Sequence, residues 1–69
     1  MNTTDALPAV SPLVTSRVAA GYLNVSESTL SRWRNEHKGP PFLQMDGIIR
    51  YRRDALDAWL REIEHAHEQ

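Results

Sequence analysis

From residue 13 onward, apolar residues recur first at helical spacing, then in alternation, then at helical spacing again. In "SRVAAGYL" Ala19 and Leu23 lie four apart on one face, and Ala20 is small enough to let another helix approach closely. Thr15 or Ser16 can cap this first helix, and Asn24, tolerant of left-handed backbone, can end it. Ser26 can then cap a second helix only two residues later. Two short helices meeting across so tight a turn form a helix-turn-helix.

In the second helix, carried by "VSESTLSRWR", a rotation of about 100° per residue sets the faces. With Leu30 at zero, Trp33 falls near roughly 300°, while Ser28, Ser31, Arg32 and Asn35 fall between roughly 100° and 200°. Leu30 and Trp33 therefore face a core, and the other four face away. "HKGPP" stops the helix, because Pro40 and Pro41 cannot continue it and Gly39 frees the backbone.

Strict alternation follows. "FLQM" and "IIRY" flank Asp46-Gly47, the pair best suited to a two-residue type I′ turn, so a hairpin should pair Met45 with Ile48 and Phe42 with Tyr51. Alternation sends Phe42, Gln44, Ile49 and Tyr51 to one side, assigned to the core, and Leu43, Met45, Ile48 and Arg50 to the other. In "DALDAWLREIEHA", Leu56, Trp59, Leu60 and Ile63 form the stripe of a last helix, with Asp54 and Asp57 near its positive end. The order helix, helix, hairpin wing, helix is that of a winged helix-turn-helix, mainly α with a small β-hairpin.

A chain of 69 residues is one domain, near the lower size limit for a core without staples. There is no cysteine, so neither disulfides nor thiolate metal sites arise, and a reducing cytoplasm is the fitting compartment. No apolar run is long enough to span a bilayer. The opening "MNTTDALPAVSPLV" lacks the basic start and continuous apolar stretch of a signal peptide, and its prolines mark a loose lead-in expected to stay out of the fold. The domain is bounded at residues 13–66, between a flexible lead-in over 1–12 and a frayed tail over 67–69.

Net charge is only −1, but its distribution changes the picture. Between Ser28 and Arg53 six cations (Arg32, Arg34, Lys38, Arg50, Arg52, Arg53) face two anions (Glu36, Asp46), a local charge of +4. From Asp54 onward Arg61 stands alone against Asp54, Asp57, Glu62, Glu64 and Glu68, a local charge of −4. A basic middle and an acidic end suit a scheme with nucleic acid on one side and protein on the other.

Each chemical reading has a plainer one beside it. Ser28, Ser31, Arg32 and Asn35 taken alone describe an ordinary solvated helix face. The helix-turn-helix setting makes them base readers, since the major groove admits one helix, and Arg and Asn make bidentate contacts to guanine and adenine edges. Lys38, Arg50, Arg52 and Arg53 can neutralise phosphates, which gives affinity without sequence information. Trp33, Trp59, Phe42 and Tyr51 could be stacking platforms, but their spacing is that of core positions. His65 and His67 point apart on a helix and His37 is distant, so no metal site is expected. The serines at 26, 28 and 31 have no spaced histidine and carboxylate, and no glycine-rich phosphate loop exists. The chain reads as a non-enzyme with no cofactor.

Taken together, "VTSRVAAGYLNVSESTLSRWR", "GPPF" and "DGIIRYRRDALDAWL" resemble the excisionase and AlpA type of winged helix-turn-helix proteins, relatives of the MerR DNA-binding domain, over about Leu13 to Leu60. The resemblance implies a small bacterial or phage protein that binds double-stranded DNA with its second helix in the major groove and its wing against the neighbouring minor groove or backbone. It places Ser28, Thr29, Ser31, Arg32 and Arg34 in the recognition helix, and Arg50 and Arg52 in the wing and its exit. Such excisionases bind repeated sites beside a recombination junction, bend DNA and recruit an integrase, so that excision is favoured. Where relatives commonly carry Arg or Lys at the wing tip this chain has Ile48, and with Met45 it makes an apolar tip suited to packing on a neighbouring copy. Two other functions fit the same residues: a transcriptional regulator of a prophage or mobile element, and a protein-interaction adaptor working through the acidic last helix.

Overall fold

The computed structural model describes residues 12–66, so the expectations for the earlier lead-in and for the tail lie outside the described residues. The elements are β1 (Leu13–Val14), α1 (Ser16–Leu23), α2 (Glu27–Asn35), β2 (Leu43–Met45), β3 (Ile48–Arg52) and α3 (Arg53–Ala66). Three helices and an antiparallel hairpin make a winged helix-turn-helix.

Local chemistry sets the boundaries. The Thr15 side chain accepts from the Val18 N–H and caps α1, and the Ser26 hydroxyl accepts from the Thr29 N–H at 3.0 Å and caps α2. Asn24, at φ 61°, ends α1, and the Val25 N–H reaches back to the Ala20 carbonyl at 2.9 Å. The second helix ends in the same way but earlier than the prolines require. His37 takes φ 58°, its N–H bonds the Arg34 carbonyl at 3.2 Å, and the Lys38 N–H bonds that of Trp33 at 2.9 Å. Gly39 follows at φ 89°, and a Cβ there would sit 3.0 Å from the Trp33 side chain, so only glycine lets the chain fold back over the indole.

The hairpin turns through Asp46 (φ 53°) and Gly47 (φ 85°), both left-handed as a type I′ turn demands. Met45 pairs with Ile48, Gln44 with Ile49 and Leu43 with Arg50; Phe42 stands just before the strand, its ring centroid 6.1 Å from that of Tyr51. The strand β3 is also central to a three-stranded sheet, because Leu13 pairs with Arg52 and Val14 with Tyr51. This strand puts residues 13 and 14 inside the fold, in keeping with the bound at residue 13 and against the exclusion of the whole opening stretch to Val14: Val14 is buried, and the Pro12 carbonyl accepts from the Arg53 N–H at 3.0 Å. A two-residue strand carries too little alternation to be read before its partner is known.

Val14, Ala19, Ala20, Leu30, Tyr51 and Leu56 form the buried core, with Leu23, Val25, Trp33 and Ile49 packed on it. Burying a side chain such as Leu30 contributes about 1.5–3 kcal/mol. Trp33 and Trp59 meet with ring centroids 5.6 Å apart and tilted by 53°, which joins α2 to α3. Two expected core assignments are corrected. Gln44 and Phe42 are exposed: Gln44 stands toward the tip of the wing, and Phe42 borders an open groove beside the end of α2. The α3 stripe is buried at Leu56, half-buried at Trp59 and Leu60, and exposed at Ile63, because the helix runs on beyond the core.

The first and last helices are tied on the far side by a hydrogen bond from the Tyr22 hydroxyl to the Asp57 carboxylate. That bond, with some desolvation and the Asp57 charge, raises the Tyr22 phenol above its ordinary value, against a lowering influence of Arg53. A raised phenol means that the folded state favours the protonated form. The stability it contributes is complete below the ordinary phenol value of about 10 and is lost as pH climbs through the raised one. Tyr22→Phe should therefore have a lower urea midpoint than the parent at about pH 8, with the gap narrowing by about pH 11. A gap independent of pH would show that the bond does not form in solution.

Candidate nucleic-acid interface

The caps that start α2 also shape its outward face. The Ser26 hydroxyl lies 3.1 Å from that of Ser28 and donates to that of Thr29 at 2.9 Å, so the first turn is a hydroxyl cluster on an N-terminus. Thr29 is thereby engaged in the cap and half-buried, while Ser28 is exposed. Further along, Arg32 and Asn35 are exposed and Ser31 is half-buried. The helix is held from behind by Leu30, which is wholly buried, and by Trp33. A row of hydroxyl, guanidinium and amide groups thus stands on a rigid helix.

Arg34 behaves differently from its neighbours. Its Nη1 donates to the Tyr51 hydroxyl at 2.9 Å and to Ser16 Oγ at 3.3 Å, and its guanidinium carbon lies 5.8 Å from the Phe42 ring centroid. It is tucked between α2 and the wing, apart from the outward row of Ser28, Ser31, Arg32 and Asn35. The signal was present in the spacing: Arg34 follows Leu30 by four residues, one helical turn on the core side.

The wing adds a second surface. Strand alternation puts Ile48, Arg50 and Arg52 on one face of β3, with Leu43 and Met45 beside them on β2. Met45 and Ile48 are 44% and 50% exposed, which leaves an apolar tip beside two arginines. The Arg50 Nη1 donates to the Ile49 carbonyl at 2.7 Å, and Arg52 meets Asp54 at 3.4 Å. Arg53 is exposed and opens α3, directly after β3 with no intervening loop.

Several of these cations are held by carboxylates. Glu36 lies 3.9 Å from Arg32 and 3.3 Å from Lys38, and all three side chains are well exposed. Exposed pairs of this kind contribute about 0–1 kcal/mol, so a phosphate can displace them at little cost. Between the end of α2 and the wing root lies an open groove of about 320 Å³, walled by Arg34, His37, Lys38, Pro40, Pro41 and Phe42. Apart from the Lys38 charge, the sequence marks this segment only as a helix stop. Arg17, exposed on α1, is a further cation outside that reading.

Among the described residues no group of three or more His, Cys, Asp or Glu could hold a metal ion, and no helix is long and apolar enough to cross a membrane. No curated protein matches the chain in sequence. A family model described as a helix-turn-helix domain matches residues 13–63, a span that takes in β1, both helices of the motif, the wing and most of α3. That family includes small DNA-binding proteins of the excisionase and AlpA type. The protein whose outward helix face and basic wing are described above therefore belongs to this helix-turn-helix family and binds DNA sequence-specifically.

Proposed function

We propose that the chain is an excisionase, a recombination directionality factor that binds and bends DNA at attachment sites and assists an integrase in excising a phage or mobile element. It acts in the cytoplasm and without catalysis of its own. The observation that carries the DNA side is the exposed row on α2, held out by the buried Leu30, beside the arginine-bearing face of the wing.

Within that reading Arg32 and Asn35 make bidentate contacts to base edges, and Ser28 and Ser31 bond bases or phosphates. Lys38, Arg50, Arg52 and Arg53 neutralise phosphates and set the register. Thr29 supports the first turn through its cap bonds. Two features remain beyond the polar and charged groups: the apolar tip of Met45 and Ile48, on the arginine-bearing face of the wing, and the acidic side of α3. A directionality factor uses both, one for a neighbouring copy on a tandem site and one for the integrase.

A mobility shift with DNA from the protein's own genomic neighbourhood, against random competitor, tests the whole reading. Stepwise bands on an attachment site are expected; a single band on a promoter would point to a regulator, and no shift at low salt to an adaptor. Arg32→Ala should lose about 1–3 kcal/mol on the cognate site and much less on random DNA. Equal loss on both would make it a phosphate contact. Ile48→Lys should leave binding to a single site intact while reducing cooperativity on a multi-site fragment, and unchanged cooperativity would remove the wing tip from any contact between copies.

A further inference from the structure

Arg34 carries a positive charge that the fold shields without neutralising. Its two hydrogen-bond acceptors, the hydroxyls of Tyr51 and Ser16, are neutral. Arg32 and Lys38 have Glu36 and Arg52 has Asp54, whereas no described carboxylate lies within ion-pair distance of Arg34. Stacking near Phe42 offsets part of the cost of drawing a guanidinium out of water but leaves its charge in place.

The bonding is also one-sided. A guanidinium has five N–H donors, and toward the described residues only Nη1 is used. The Nε–H and the Nη2 pair remain, the edge that grips a phosphate with parallel hydrogen bonds. Arg34 forms part of the wall of the open groove between α2 and the wing root, with Lys38 beside it and Pro40, Pro41 and Phe42 lining the rest.

We propose that this groove seats a phosphate group, and that in the DNA complex it is a backbone phosphodiester gripped by Arg34. The inference rests on the DNA-binding reading and deepens it. A duplex strand separates the major groove from the adjacent minor groove, so a protein with a helix in one and a wing beside the other must pass that strand across the seam between them. The Arg34 groove is that seam. Tyr51, Ser16 and Phe42 hold the guanidinium in place before DNA arrives, so little side-chain freedom is lost on contact. The phosphate seated there fixes how deeply α2 lies in its groove, while the outward row reads the bases. Free phosphate shares this chemistry at lower effective concentration.

The test measures binding of the full chain to cognate and random duplexes by fluorescence anisotropy, from about 50 to about 200 mM salt. Arg34→Ala should lose affinity by a similar factor, on the order of tenfold, on both DNAs. It should also lower the slope of log affinity against log salt by about one. Loss on the cognate site alone would make Arg34 a base reader, and an unchanged slope would make it a brace between helix and wing; either overturns the proposal. If the parent bound neither duplex, the DNA reading itself would fall, a different result. A measurement on the unmutated chain avoids any dependence on the variant's fold: the Arg34 Nε–H resonance is followed as random duplex or inorganic phosphate is added. A shift with duplex at low concentration, and with phosphate only at higher concentration, is expected. A shift with phosphate alone, or with neither, would overturn it.

Discussion

Tyr51 is the residue on which the rest of the arrangement depends. It sits wholly buried in the central strand, paired with Val14 on one side and packed near Phe42, while its hydroxyl accepts a hydrogen bond from Arg34 of the recognition helix. A large aromatic side chain in so small a core contributes much of the area removed from water. Because its hydroxyl meets a side chain from α2, the same residue also fixes the distance between recognition helix and wing. β3 runs straight into α3, so the last helix takes its direction from this strand as well.

That constraint separates two chemical sides. Hydroxyl, amide and guanidinium groups stand on α2 and the wing, while α3 carries Asp54, Asp57, Glu62 and Glu64. A net charge of −1 therefore hides a surface with a positive side able to steer toward DNA and a negative side that repels it. The pairs of Arg32 and Lys38 with Glu36 temper the positive side without cancelling it, since exposed ion pairs are readily exchanged for phosphate. The domain thus has one orientation in which it can approach a duplex.

Much of this was legible because it rests on local chemistry. Asn24 and Ser26 define the turn through their own backbone and hydroxyl, and Asp46-Gly47 specifies the hairpin register without help from the rest of the molecule. What escaped depends on long-range partners. Leu13 and Val14 become a strand only because β3 has an open edge, and Phe42 is exposed because it borders the open groove beside α2. The resemblance places Arg34 on the recognition helix but not its bonds to Tyr51 and Ser16, and the groove it lines arises from the His37 cap and the Gly39 reversal acting together.

The most direct check of the central claim, that α2 and the wing face DNA while α3 does not, is a map of backbone amide shifts on adding duplex to the labelled protein. The account predicts the largest changes over residues 27–38 and 45–53, with the α3 amides from Asp57 onward little moved. Large changes along α3 with a quiet α2 would contradict it.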